Sequence, residues 1–207
     1  MVDAALIETC SDPSLTPAIV EQFVAAAGSD DPLAITVRAG GRLILVPKPI
    51  SRAEAFDIIR QYVGKASVRV GITQLPAEGG VMDTNEFNAR LFDPCENLKL
   101  GTALFAKVAR IVTRWYGSPT SPEVMPQLFE DAVYAWKTGL FEGEKVFQAA
   151  DPGGAGFPNG GKVPAGPLQD AASEFEEVEQ KGSVSKTPND GGEAGIRVDL
   201  SRLGQQQ

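Results

Sequence analysis

The chain has 207 residues, 43% of them hydrophobic, enough for one domain with a substantial core. Its 27 acidic and 19 basic residues leave a net charge of −8, and no stretch is rich in Lys or Arg. A phosphate backbone is repelled overall by such a charge, so direct nucleic-acid binding is not expected.

Histidine is absent, which removes Ser-His-Asp and Cys-His catalysis and the commonest zinc ligand together. Two cysteines alone cannot complete an ordinary structural zinc site, and no Asp-x-Asp-x-Asn-Gly calcium loop occurs. No metal or other cofactor is expected. No apolar run of about 18 residues exists, so no transmembrane helix is expected. The stretch Met1–Cys10 has neither a basic leader nor a long apolar run and does not read as a secretory signal.

In chain order, Thr16 caps a helix with Pro17 at its first position, where a missing N–H costs nothing. Ile19, Phe23 and Ala26 or Ala27 share one face of it, and Gly28 stops it. Ile35–Arg38 and Arg42–Val46 flank Ala39-Gly40-Gly41 as a hairpin. Ser51 and Glu54 have capping-box spacing at the head of a helix whose apolar face is Ala55, Phe56, Ile59 and Val63. Val68–Leu75 reads as a short strand or extended segment. Asp93 and Pro94 open the strongest helix, carried by Leu98, Leu104, Phe105, Val108, Ile111 and Val112, and ended by Gly117 and Pro119. A further helix is expected from Glu123 to Lys137 with Gly139 as its breaker, and Glu142–Ala149 reads as one or two more helical turns.

Composition changes near Asp151. Residues 151–207 hold 11 of the 22 glycines and 5 prolines, with no Trp or Tyr. Such a segment cannot bury enough apolar surface to offset the entropy of ordering it, so 151–207 reads as a flexible Gly/Pro/acidic tail. Ala171–Gln180, with its cluster of glutamates, reads as a transient helix or a solvated charge run. Residues 1–150 read as one α+β, mainly helical domain.

Four segments carry a resemblance: Ala27–Ile35 (AGSDDPLAI), Val70–Gln74 (VGITQ), Phe92–Gly101 (FDPCENLKLG) and Ala132–Gly139 (AVYAWKTG). Together they resemble the lytic transglycosylases that open the cell wall for conjugation and type IV secretion systems. The resemblance implies a degenerate lysozyme-like domain with a glycan cleft. In that family the first segment usually reads Glu-Ser-Gly-Gly-Asn-Pro-Leu-Ala, and its glutamate protonates the leaving oxygen of the glycan bond. Here the Pro-Leu-Ala end is kept and Ala27 stands at the glutamate position. Alanine can neither give nor take a proton, so the resemblance implies a non-catalytic relative.

Glu78, Asp83 and Glu86 are the carboxylates that could rescue catalysis from a relocated position. Asp30 and Asp31, just after the helix stop, could swing inward but are short and solvated, and Glu21, six residues before Ala27 on its helix, points elsewhere. Gln74 matches the glutamine of the family's Gly-Leu-Met-Gln segment, which lies in the glycan cleft. The last segment departs further: the family's Tyr-Asn pair is replaced by Trp136 and Lys137. Tyr134 and Trp136 are the aromatic candidates for a sugar face, and Trp136 equally suits a helical core stripe. These relatives also carry a cysteine before the first helix and another in Asp-Pro-Cys, so the resemblance implies a Cys10–Cys95 disulfide and a periplasmic location. The missing signal leaves unpaired thiols in the cytoplasm as the alternative.

Across residues 1–150 the chain looks like the TraH proteins of conjugal-transfer regions in Agrobacterium and Rhizobium plasmids, which Arg110–Gly117 and Glu130–Trp136 also fit. The resemblance implies a conjugation accessory protein that binds peptidoglycan glycan or a mating-channel protein. Two alternatives stay open: an active transglycosylase using an acid such as Glu78, or a scaffold whose cleft has closed.

Overall fold

The helix starts that the sequence marks at Thr16, Ser51 and Asp93 are each built by the side chain that marks them, and a first helix precedes them unmarked. In the computed structural model, which describes residues 2–77, 90–154 and 156–157, α1 (Ala4–Cys10) begins where the Asp3 carboxylate accepts the Ala5 N–H. Helix α2 (Pro17–Ala27) opens on Thr16, whose hydroxyl accepts from Ile19 N. Helix α3 (Arg52–Tyr62) opens on Ser51, which accepts from Glu54 N, but Glu54 reaches back to Ile50 N rather than to Ser51. The 22-residue α4 (Pro94–Trp115) starts at Asp93, whose carboxylate accepts from both Cys95 N and Glu96 N. A 3-10 turn (Pro122–Val124) leads into α5 (Met125–Thr138), which Gly139 ends at φ 75°.

A four-stranded antiparallel sheet has the order β2-β1-β3-β4, with β1 Ile35–Ala39, β2 Arg42–Ile44, β3 Ser67–Val70 and β4 Leu75–Pro76. The β1–β2 hairpin turns on Gly40 and Gly41, both at positive φ, as the sequence leads one to expect. Val37 pairs with Val68 and Ile35 with Val70, while Thr36 pairs with Arg69. Because side chains alternate across a strand, Val37, Val68 and Val70 enter the core from one face. Thr36, Arg38, Ser67 and Arg69 share the other face.

Two local expectations differ from the structure. Val68–Leu75 is not one strand: Gly71 (φ 73°) and Gln74 (φ 53°) reverse the chain, so β3 and β4 form a tight hairpin. Glu142–Ala149 does not begin as a helix. Glu142 (φ 46°) and Gly143 (φ 83°) turn a second hairpin between β5 (Leu140–Phe141) and β6 (Glu144–Lys145). A helix needs negative φ at both positions.

The core lies where α2, α4 and α5 meet. Phe23 stacks on Phe105 at 3.9 Å between ring centroids, and Trp136 sets its edge against both. Packing continues past Asp151. The Arg110 guanidinium holds the Asp151 carboxylate through two hydrogen bonds, at 2.8 and 2.6 Å, the Thr113 hydroxyl donates to Gly156 O, and Phe157 is buried among Phe105 and Phe129. The described residues thus form an α+β unit within Met1–Ala165. The expected tail beyond Phe157 and the Ala171–Gln180 segment lie outside the described residues. Among the described residues, no helix is long and apolar enough to cross a membrane.

Candidate functional site

The turn Gly71-Ile72-Thr73-Gln74 is the meeting point of all four segments. The segment from Phe92 to Gly101 reaches it through Asn97. The Asn97 carboxamide oxygen accepts from Thr73 N and from the Thr73 hydroxyl, both at 2.9 Å. Its amide nitrogen donates to Val70 O at 3.2 Å and Leu91 O at 2.9 Å. Every polar atom of this buried side chain is therefore engaged in holding the turn. Gly101 lets α4 lie flush on it, since a Cβ there would overlap the Thr73 side chain, and a Cβ at Gly71 would overlap Asn97.

The other two segments close on the same turn. After α2, Ser29 N donates to Ile72 O at 2.8 Å, and a Cβ at Gly28 would strike that same carbonyl. From α5, the Trp136 indole N–H donates to Thr73 O at 3.2 Å. Arg69, on the strand leading into the turn, donates to Gln74 O and to the carbonyls of Trp136 and Lys137 at the end of α5. A guanidinium suits that place, where the helix C-terminus carries partial negative charge, and it also lies 5.8 Å from the Trp136 ring and 5.5 Å from Phe147.

A hollow of about 260 Å3 opens beside this junction and brings together Ala27, Gln74 and Trp136. The Gln74 side chain is buried and donates to Gly71 O at 3.0 Å. Trp136 has no exposed surface, so its ring underlies the hollow without an open face. Tyr134 is not at this place: it is 61% exposed and does not line the hollow. Glu78, Asp83 and Glu86 lie outside the described residues. Of the nearer acids, Glu21 is exposed on α2, and Asp31 is tied to Leu33 N and to Lys48 at 3.0 Å. The hydrogen bond from Lys48 holds the Asp31 carboxyl below its ordinary range.

The charges that line the hollow among the described residues are Arg38, Arg69 and Lys137. Arg38 and Arg69 arrive from the sheet face opposite the valine face, and Lys137 from the end of α5. Arg38 and Arg69, with Thr73 and Asn97, were missed by sequence reasoning, which named Lys137 only as the replacement for the family's asparagine. The available signals were an arginine between two core valines and an asparagine among the apolar positions of α4.

Elsewhere, Cys10 and Cys95 form a disulfide with their Cα atoms 5.2 Å apart, joining the end of α1 to the first turn of α4. Among the described residues no cluster of three or more His, Cys, Asp or Glu is placed to hold a metal ion.

The TraH_2 family matches residues 1–205. The chain belongs to this family. It is also 56% identical over 207 residues to the uncharacterized protein y4dP of Sinorhizobium fredii (strain NBRC 101917 / NGR234), covering 99% of each chain. Membership of the TraH_2 family agrees with the TraH resemblance and marks a conjugal-transfer-related protein. No solved structure matches this fold.

Proposed function

We propose that this TraH_2 protein is a non-catalytic, lysozyme-like accessory module of conjugation that docks on peptidoglycan at the junction of its four segments, in the periplasm. The observation that carries the reading is the convergence of the segments on one turn, with Ala27 where the related enzymes place their acid. A general acid at neutral pH needs a carboxyl kept protonated by burial or by neighbouring negative charge. The described charges that line the hollow beside Ala27 are positive, which favours the ionised form. The hollow is thus the wrong electrostatic environment for the lost step, over and above the missing side chain. Ground-state affinity for a ligand uses interactions separable from those of the transition state, so recognition can outlast catalysis. The disulfide supports an oxidising compartment.

Two measurements on the full chain test this: release of anhydro-muropeptides from purified sacculi, and cosedimentation with the same sacculi. Retention on sacculi without release is the expected result. Release by the unmodified protein overturns the non-catalytic reading and directs attention to Glu78, Asp83 and Glu86. Absence of retention overturns the peptidoglycan reading in favour of a scaffold that binds a mating-channel protein.

A further inference from the structure

A second, larger hollow of about 630 Å3 adjoins the first and shares Arg38 and Lys137 with it. It adds Lys65 and the backbone of two turns, Gly40-Gly41 and Gly64. The described side chains lining the pair of hollows include four cations and no carboxylate, in a chain whose overall charge is −8. Arg38, Lys65 and Lys137 are exposed; the Lys65 ammonium donates to Gln61 O at 3.2 Å and keeps two further protons for a ligand. Nothing stands within 4 Å of where a Cβ would lie at Gly40, Gly41 or Gly64, which leaves the backbone of both turns open to close approach.

The geometry points to a binding site for a short peptide bearing several free carboxylates, seated across Arg38, Lys65 and Lys137. The part of the ligand seated here is small, because hollows of this size hold a few residues at a time. It carries localised rather than extended negative charge, since a long polyanion would meet the repulsion of the remaining acidic surface. Arg38 presents a planar fork that matches a carboxylate through two parallel hydrogen bonds, while the lysines act as point charges on either side. This deepens the peptidoglycan reading and rests on it: the stem peptides of the wall are short and rich in carboxylates, and the hollow beside Ala27 would face the glycan to which they are attached.

The test uses the full disulfide-bonded chain and calorimetric titration with three probes. These are a synthetic wall stem peptide, the same peptide with its carboxylates amidated, and peptide-free glycan strands. Binding of the acidic peptide, weakened at least tenfold by Lys65→Gln with Lys137→Gln and further by added salt, is the expected result. Arg38→Lys, which keeps the charge and removes the fork, is expected to give an intermediate loss. Circular dichroism melts on each variant exclude misfolding as the cause, because all three side chains are exposed. Equal binding of the amidated peptide, or no effect of the substitutions, overturns the carboxylate site. Displacement of the peptide by an equal concentration of inorganic phosphate reassigns the site to a free oxyanion and overturns the peptide assignment. Glycan strands that bind while the acidic peptide does not leave the peptidoglycan reading standing while this site falls. Peptide binding by a chain that sacculi do not retain does the reverse: the carboxylate site stands and the peptidoglycan reading falls.

Discussion

Asn97 has no polar atom to spare: two bonds to Thr73 and one each to Val70 and Leu91 make it the clamp of the turn. Asn97→Leu keeps the volume and leaves Thr73 N and two carbonyls unpaired in a buried place. We expect about 3 kcal/mol of destabilisation, read as a lower urea midpoint at unchanged slope, because each orphaned group costs about 1–3 kcal/mol. A second residue-scale prediction concerns Ala27. In Ala27→Glu the new carboxyl faces Arg38 and Lys137, so its pKa should fall below the ordinary glutamate value near 4.3. Carbon-detected NMR titration measures it. The variant should release no anhydro-muropeptides, and a pKa raised toward 6 would contradict the electrostatic description of the hollow. From sequence, Ala27 and Gln74 were legible through their neighbours in the segments. Arg38 and Arg69 were not, because strand alternation tells which residues share a face but not what covers that face.

Helix starts were the most legible elements, since Thr16, Ser51 and Asp93 each satisfy backbone N–H groups a few residues on and need no tertiary partner. The hairpin at Gly71–Gln74 was not legible in the same way. Its reversal depends on a non-glycine residue at positive φ, Gln74, and on an asparagine on α4 that lies far away in sequence. The β5–β6 hairpin was read as helix for a related reason: the turn there puts Glu142, an ordinary helix former, at positive φ. At this scale the disulfide has the clearest consequence. It closes a separation of 85 residues and joins α1 to α4. Chain-entropy arguments give about 4.6 kcal/mol for a loop of that order, often less in practice. Cys95→Ser should therefore lower stability by about 2–4 kcal/mol in urea unfolding, and reductant should shift the midpoint of the unmodified chain but not of the variant.

For the molecule as a whole, packing runs past the composition break at Asp151 to Phe157, the last described residue, because backbone and single anchoring residues can pack even in a glycine-rich stretch. Asp151 is the polar anchor of that stretch and Phe157 its apolar one. The hydrogen bonds from Arg110, followed by the Gly153 N–H, hold the Asp151 carboxyl at about 2, below its ordinary 3.8. A depressed carboxyl stabilises the fold above its unfolded pKa and ceases to do so as pH falls through the folded value. The contribution is therefore complete above about pH 4 and disappears toward pH 2. Because the Asp151 side chain is 42% exposed, we discount the pair to about 1 kcal/mol. Asp151→Asn should lower the urea midpoint at pH 7 by that small amount and flatten the acid limb of the stability profile. Ending the chain at Ala150 should cost more, about 3 kcal/mol, because it also removes the Phe157 ring from Phe105 and Phe129. The two effects separate by pH: the loss from truncation persists at pH 2, where only a small remainder of the ion pair is left, and a loss that fell to that remainder would mean that Phe157 adds nothing to the core.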